Sequence, residues 1–122
     1  MRKRMIIFNF RTAPRNFLAP VGDRMAYITA FVNELRDFGN LHIETSQLLV
    51  GIIDRMYQSV PPGSDEWPCL EDLRRILEHE AEVQKRPNLL TAARTVQSLC
   101  ALLGESARIR KPAPLVEEDS TV

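Results

Sequence analysis

The chain has 122 residues and a mass of 13.9 kDa, enough for one domain with a single core and little more. With 44% apolar residues, 26% charged residues and 5 glycines, its composition excludes a collagenous, low-complexity or disordered protein. Its 16 basic and 16 acidic residues cancel, so a surface for nucleic acid has to be local, and no apolar run approaches the ~18 residues of a membrane span.

The charge is unevenly spread. Residues 1–20 hold Arg2, Lys3, Arg4, Arg11 and Arg15 and no acid. Asn9 interrupts the apolar run at residues 5–10, and no small-residue cleavage site follows, so a secretory signal is not expected. Pro14 and Pro20 break an amphipathic helix and serine is absent, which argues against a mitochondrial presequence and leaves the cytoplasm as the expected compartment. Residues 5–10, Met-Ile-Ile-Phe-Asn-Phe, read as a short β-branched and aromatic strand without a partner. Leaving Ile6, Ile7, Phe8 and Phe10 in water forgoes about 1.5–3 kcal/mol each, so this arm is expected to dock. Its destinations are its own bundle, the same arm of a second subunit, or the sheet edge of a partner. Ile7, Phe8 and Phe10 are the expected anchors, and Phe17, Leu18 and Val21 a second anchor before the first helix.

Glycine and proline then punctuate four helical stretches. The first, over 23–38, places Met25, Ile28, Phe31, Val32, Leu35 and Phe38 on one side, with Asp23 as N-cap and Gly39 as the left-handed C-terminal residue. The second, about 42–60, has a main stripe of Leu49, Ile52, Ile53, Met56 and Val60 and another of Ile43, Val50 and Tyr57. That arc is wider than one neighbour needs, so this helix is expected to be central or covered by another molecule, with Gly51 permitting close approach of a backbone. The third is expected to open at Ser64 or Asp65 with Pro68 in its first turn, burying Leu70, Leu73, Leu77 and Ala81, with Trp67 and Ile76 flanking. Its outer face carries the pairs Glu71–Arg75, Arg74–Glu78 and Glu82–Arg86. The fourth follows an Asn88 cap with a seam of Leu89, Ala92, Ala93, Val96, Leu99, Cys100 and Leu103, ending at Gly104. Similar lengths and short turns predict an all-α, up-down four-helix bundle over 22–104, with an extended arm at 1–21 and a disordered, flexible tail at 105–122.

Catalytic constellations are weak. Cys69 and Cys100 stand apart with no metal-ligand spacing and read as buried reduced thiols. Glu78, His79, Glu80 and Glu82 read as solvated charge, and no phosphate loop, nucleophile elbow, metalloprotease or calcium motif occurs. No catalytic residue, metal or cofactor is therefore expected. The reading is a small non-enzymatic protein–protein interaction module, an adaptor, chaperone-like binder or regulator, expected as a homodimer, with Ile7, Phe8, Phe10, Ile43, Val50 and Tyr57 at the interface. The alternative is a dimeric nucleic-acid-binding transcriptional regulator contacting its target through Arg2, Lys3, Arg4 and Arg11.

Overall fold

A computed structural model describes residues 16–111 as four α-helices, α1 (Arg24–Gly39), α2 (Ile43–Gln58), α3 (Leu70–Gln84) and α4 (Pro87–Leu103), followed by a short 3-10 turn at Gly104–Ala107. The arrangement is the up-down bundle expected from the turns. Its most extensive interface lies between α3 and α4, α1 packs on α2, and α4 also touches α1 and α2. Among the described residues α4, not α2, is thus the central helix, because its seam includes the small residues Ala92, Ala93 and Thr95, which let neighbours approach. By contrast α2 and α3 do not pack closely backbone to backbone, and the α2–α3 side of the bundle is its open side.

Local chemistry sets the helix ends. Asp23 caps α1 by accepting from the Ala26 N–H at 2.8 Å. The left-handed residue that ends α1 is Asn40 (φ 54°, ψ 49°), while the expected Gly39 is still helical. The reason is steric: a Cβ on Gly39 would lie 2.4 Å from Thr95 Cγ2 of α4, so glycine is needed for the helix crossing and the turn falls to Asn, which tolerates that conformation. Gly51, expected to admit another backbone, faces open space with nothing within 4 Å of a built Cβ.

The start of α3 also differs from expectation. Residues 64–69 form a loop, and the helix begins only after Cys69, whose N–H donates to the Asp72 carboxylate at 3.1 Å. Pro68 follows a tryptophan that it biases toward extended backbone, which postpones the helix. Pro87 occupies the first turn of α4, where its missing N–H costs nothing, so Arg86 and not Asn88 precedes the helix. Gly104 ends α4 with φ 63°, as expected.

One core links all four helices, with Ile28, Phe31, Leu35, Leu49, Ile53, Leu73, Leu77, Val96 and Leu99 almost wholly excluded from water. Met25 and Phe38, at the two ends of the α1 stripe, are 45% and 43% exposed, so the buried part of that stripe runs from Ile28 to Leu35. On the outer face of α3, Arg74 bridges Glu71 at 2.8 Å and Glu78 at 2.9 Å, and Arg75 turns to Asp72. Such pairs at the surface of one helix contribute little each.

The end of the bundle where α1 and α3 start is sealed by segments outside the helices. Phe17 and Leu18 are fully buried there, which places the second anchor of the arm on its own bundle, although Val21 is half exposed. The Tyr27 hydroxyl donates to the Phe17 carbonyl at 2.7 Å, and the Tyr57 hydroxyl donates to the Leu18 carbonyl. Residues 105–111, expected within the flexible tail, extend the packed structure: Ser106 and Ala107 are buried, and the Arg110 carbonyl accepts from the Trp67 N–H at 2.8 Å. This stretch shows no hydropathic period because it is held largely by polar contacts, through the Arg110 carbonyl and the Arg110 guanidinium on Asp72.

Candidate functional site

The open side of the bundle is a groove. On α2 and its C-cap, Ile52, Arg55, Met56 and Ser59 recur at three- and four-residue spacing and so share one face. Opposite them stand Asp72, Arg75, Ile76 and Glu80 of α3, with Pro68 closing one end. The groove encloses about 570 Å³, within the range of pockets that hold ligands.

Ile52 and Met56 form its floor, also belonging to the core, whereas Ile76 and Pro68 are half-buried walls. The rim is charged but balanced. Arg55 reaches across to Glu80 at 4.0 Å, and Arg75 meets Asp72 at 3.7 Å. Arg110 holds the far side of Asp72 with two hydrogen bonds, one of them 3.1 Å. Partial burial pushes the Asp72 carboxyl upward, but the Arg110 guanidinium and the Cys69 amide together outweigh it and hold the group below the usual carboxylate range.

Asn16 braces Pro68 from outside the groove. Its side-chain nitrogen donates to the carbonyls of Pro68 at 3.0 Å and Arg110 at 3.1 Å, and lies 3.4 Å from that of Trp67. Its side-chain oxygen accepts from the Leu18 N–H at 2.9 Å. One buried amide thereby ties the lead-in to α1, the α2–α3 loop and the chain beyond α4.

The Ser59 hydroxyl donates to the Met56 carbonyl at 2.7 Å, and neither histidine lines the groove. His79 instead borders a surface depression beside Glu78, Glu82, Lys85 and Arg86. Among the described residues no three His, Cys, Asp or Glu side chains gather as a metal ion requires, and no helix is long and apolar enough to cross a membrane. Cys69 and Cys100 are both buried free thiols, and burial pushes the Cys100 thiol up to about 11.

The expected interface stripe on α2 divides. Ile43 is 60% exposed at the start of the helix, Val50 is half-buried against the core, and Tyr57 is 3% exposed. Trp67 covers Tyr57 edge-on, with ring centroids 5.4 Å apart at 76°, so this tyrosine serves the chain's own core. Ile7, Phe8 and Phe10, with Arg2, Lys3, Arg4 and Arg11, lie outside the described residues. The groove itself, with Ile76, Pro68, Arg55 and Arg75, was not anticipated. Its sequence signal was the over-wide apolar arc of α2, whose Ile52 and Met56 edge serves both core and groove.

Compared with known proteins, the chain matches no family profile, no curated protein and no solved structure.

Proposed function

We propose that the chain is a non-enzymatic protein–protein interaction module whose α2–α3 groove receives an apolar segment of another polypeptide. The observation that carries this reading is the groove between two helices that share a bundle without packing closely on each other. An apolar floor supplies affinity without direction, and the flanking Arg55, Arg75, Asp72 and Glu80 supply orientation to the segment's polar groups. Recognition of a helix or an extended strand in such a cleft is a recurrent mode of peptide binding.

The test is a photo-crosslinking amino acid at Arg75 on the groove rim, with a control at the exposed Gln97 of α4, each in the full chain within its native host. The reading expects adducts of a defined polypeptide at Arg75 that are absent at Gln97; a second copy of the chain would make the module a homodimer. The same adducts from both positions, or none from Arg75, would overturn it.

A further inference from the structure

We infer that the segment received by the α2–α3 groove is acidic: an apolar stretch of another protein, flanked by aspartate or glutamate. The inference rests on the groove being a docking site, as proposed above, and adds the chemistry of its occupant. The rim charges of Arg55, Arg75, Asp72 and Glu80 cancel formally, but they are not equally available. The arginine side chains are 65% and 66% exposed, whereas those of Asp72 and Glu80 are 23% and 26% exposed. An approaching polypeptide therefore meets guanidinium groups before it meets carboxylates.

The carboxylates are also occupied. Asp72 accepts from the Cys69 N–H at 3.1 Å and takes two hydrogen bonds from Arg110, a cation that does not line the groove. Glu80 accepts from the Gln84 side chain, one turn further along α3. With Arg110 included, three cations share two acids, which leaves an excess of one positive charge. The two rim arginines meet those acids only at 4.0 and 3.7 Å, beyond hydrogen-bond length. Their N–H groups can turn to an incoming acceptor without giving up a hydrogen bond to the rim.

Placement completes the match. Arg55 on α2 and Arg75 on α3 stand on opposite sides of a floor that includes Ile52, Met56 and Ile76. A guanidinium fork pairs with a carboxylate in two parallel hydrogen bonds, so acids on the flanks of an apolar segment satisfy both walls while its apolar part covers the floor. A segment flanked by lysine or arginine would be repelled by the exposed arginines and would find the rim acids already engaged.

The experiment selects peptides of about twelve random residues, long enough to run the groove even as a helix, from a displayed library on the full chain. The selected peptides are then titrated into protein labelled at its isoleucine and methionine methyl groups. Expected are apolar peptides with acidic flanks that shift the Ile52, Met56 and Ile76 methyl signals and bind about three- to tenfold more tightly than their glutamine-flanked versions, an advantage that salt erodes. The double variant Arg55→Glu, Arg75→Glu, both at exposed positions, should select basic flanks instead. Basic or charge-indifferent peptides that shift the same methyl signals would overturn the acidic preference and leave the docking groove standing. Methyl signals that move with protein concentration alone would give the groove to a second copy and overturn the inference. Selected peptides that leave these methyl signals unmoved, or no selection at all, would overturn both the preference and the docking groove.

Discussion

Gly39→Ala offers a sharp test of the packing, because ordinary helix propensity and the α1–α4 crossing give it opposite signs. Alanine in place of a helical glycine stabilises by up to about 1 kcal/mol. At Gly39, however, the new methyl would stand 2.4 Å from Thr95 Cγ2 and 2.6 Å from Thr95 Oγ1. Carbon contacts are ordinarily about 3.5–4.0 Å, so more than an ångström of overlap has to be relieved. Thr95 cannot easily turn away: it is 9% exposed and its hydroxyl donates to the Thr91 carbonyl at 3.0 Å. Relief must come from separating α1 and α4, an overpacking cost of about 1–3 kcal/mol. More than an ångström of overlap puts that cost at the upper end of the range, about 2–3 kcal/mol, so after the propensity gain the net is a destabilisation of about 1–2 kcal/mol, or roughly 4–16 °C in Tm for a domain near this size. Gly51→Ala is the control, since its Cβ meets nothing within 4 Å, and it should stabilise by about 0.5–1 kcal/mol. Adding Thr95→Ala to Gly39→Ala leaves Cβ as the nearest atom of that residue, at 3.0 Å, so the pair should be markedly less destabilised than the sum of its members. Urea denaturation followed by far-ultraviolet circular dichroism reads all four variants. A Gly39→Ala protein as stable as the parent, or strict additivity with Thr95→Ala, would refute the reasoning.

Other expectations concern polar groups. Asn16→Asp preserves shape but aims a carboxylate at the carbonyls of Pro68 and Arg110, and should cost about 2–4 kcal/mol at pH 7, with the penalty shrinking as pH falls toward 5; unchanged denaturant midpoints would contradict the clamp. Asp72→Asn keeps an acceptor for the Cys69 N–H but loses the Arg110 ion pair, costing about 0.2–1 kcal/mol at neutral pH. Because the folded Asp72 carboxyl titrates below its unfolded value, that contribution is present above the unfolded value and lost as pH falls through the folded one, so parent and variant should converge in acid unfolding curves. Cys100, raised to about 11 from 9.0, should react with a disulfide reagent at pH 8 on the order of a hundredfold more slowly in the folded than in the urea-unfolded chain; equal rates would place the thiol in solvent.

The helices were legible because their information is periodic. The α4 seam from Leu89 to Cys100 and the Phe31–Leu35 face of α1 lie inside as spacing requires. What spacing could not convey was relations between elements. Gly39 and Gly51 look alike in sequence, and only the approach of Thr95 distinguishes them. The delayed start of α3 turns on Pro68, and the attachment of residues 105–111 turns on the Arg110 carbonyl, which accepts from the Trp67 N–H and the Asn16 side-chain amide; neither leaves a hydropathic trace. The groove was hidden for the same reason: Ile52, Met56 and Ile76 have the pattern of core residues, and it is the separation of α2 from α3 that gives them a second face.

The central claim is that the α2–α3 groove receives a polypeptide segment. Its most direct test is the set of nuclear Overhauser contacts from the methyl groups of Ile52, Met56 and Ile76 in the full chain, alone and with the crosslinked partner once identified. The account predicts contacts to protons of the partner in the complex that the free chain lacks. Methyl groups that in both states contact only the walls of their own groove and water would contradict it.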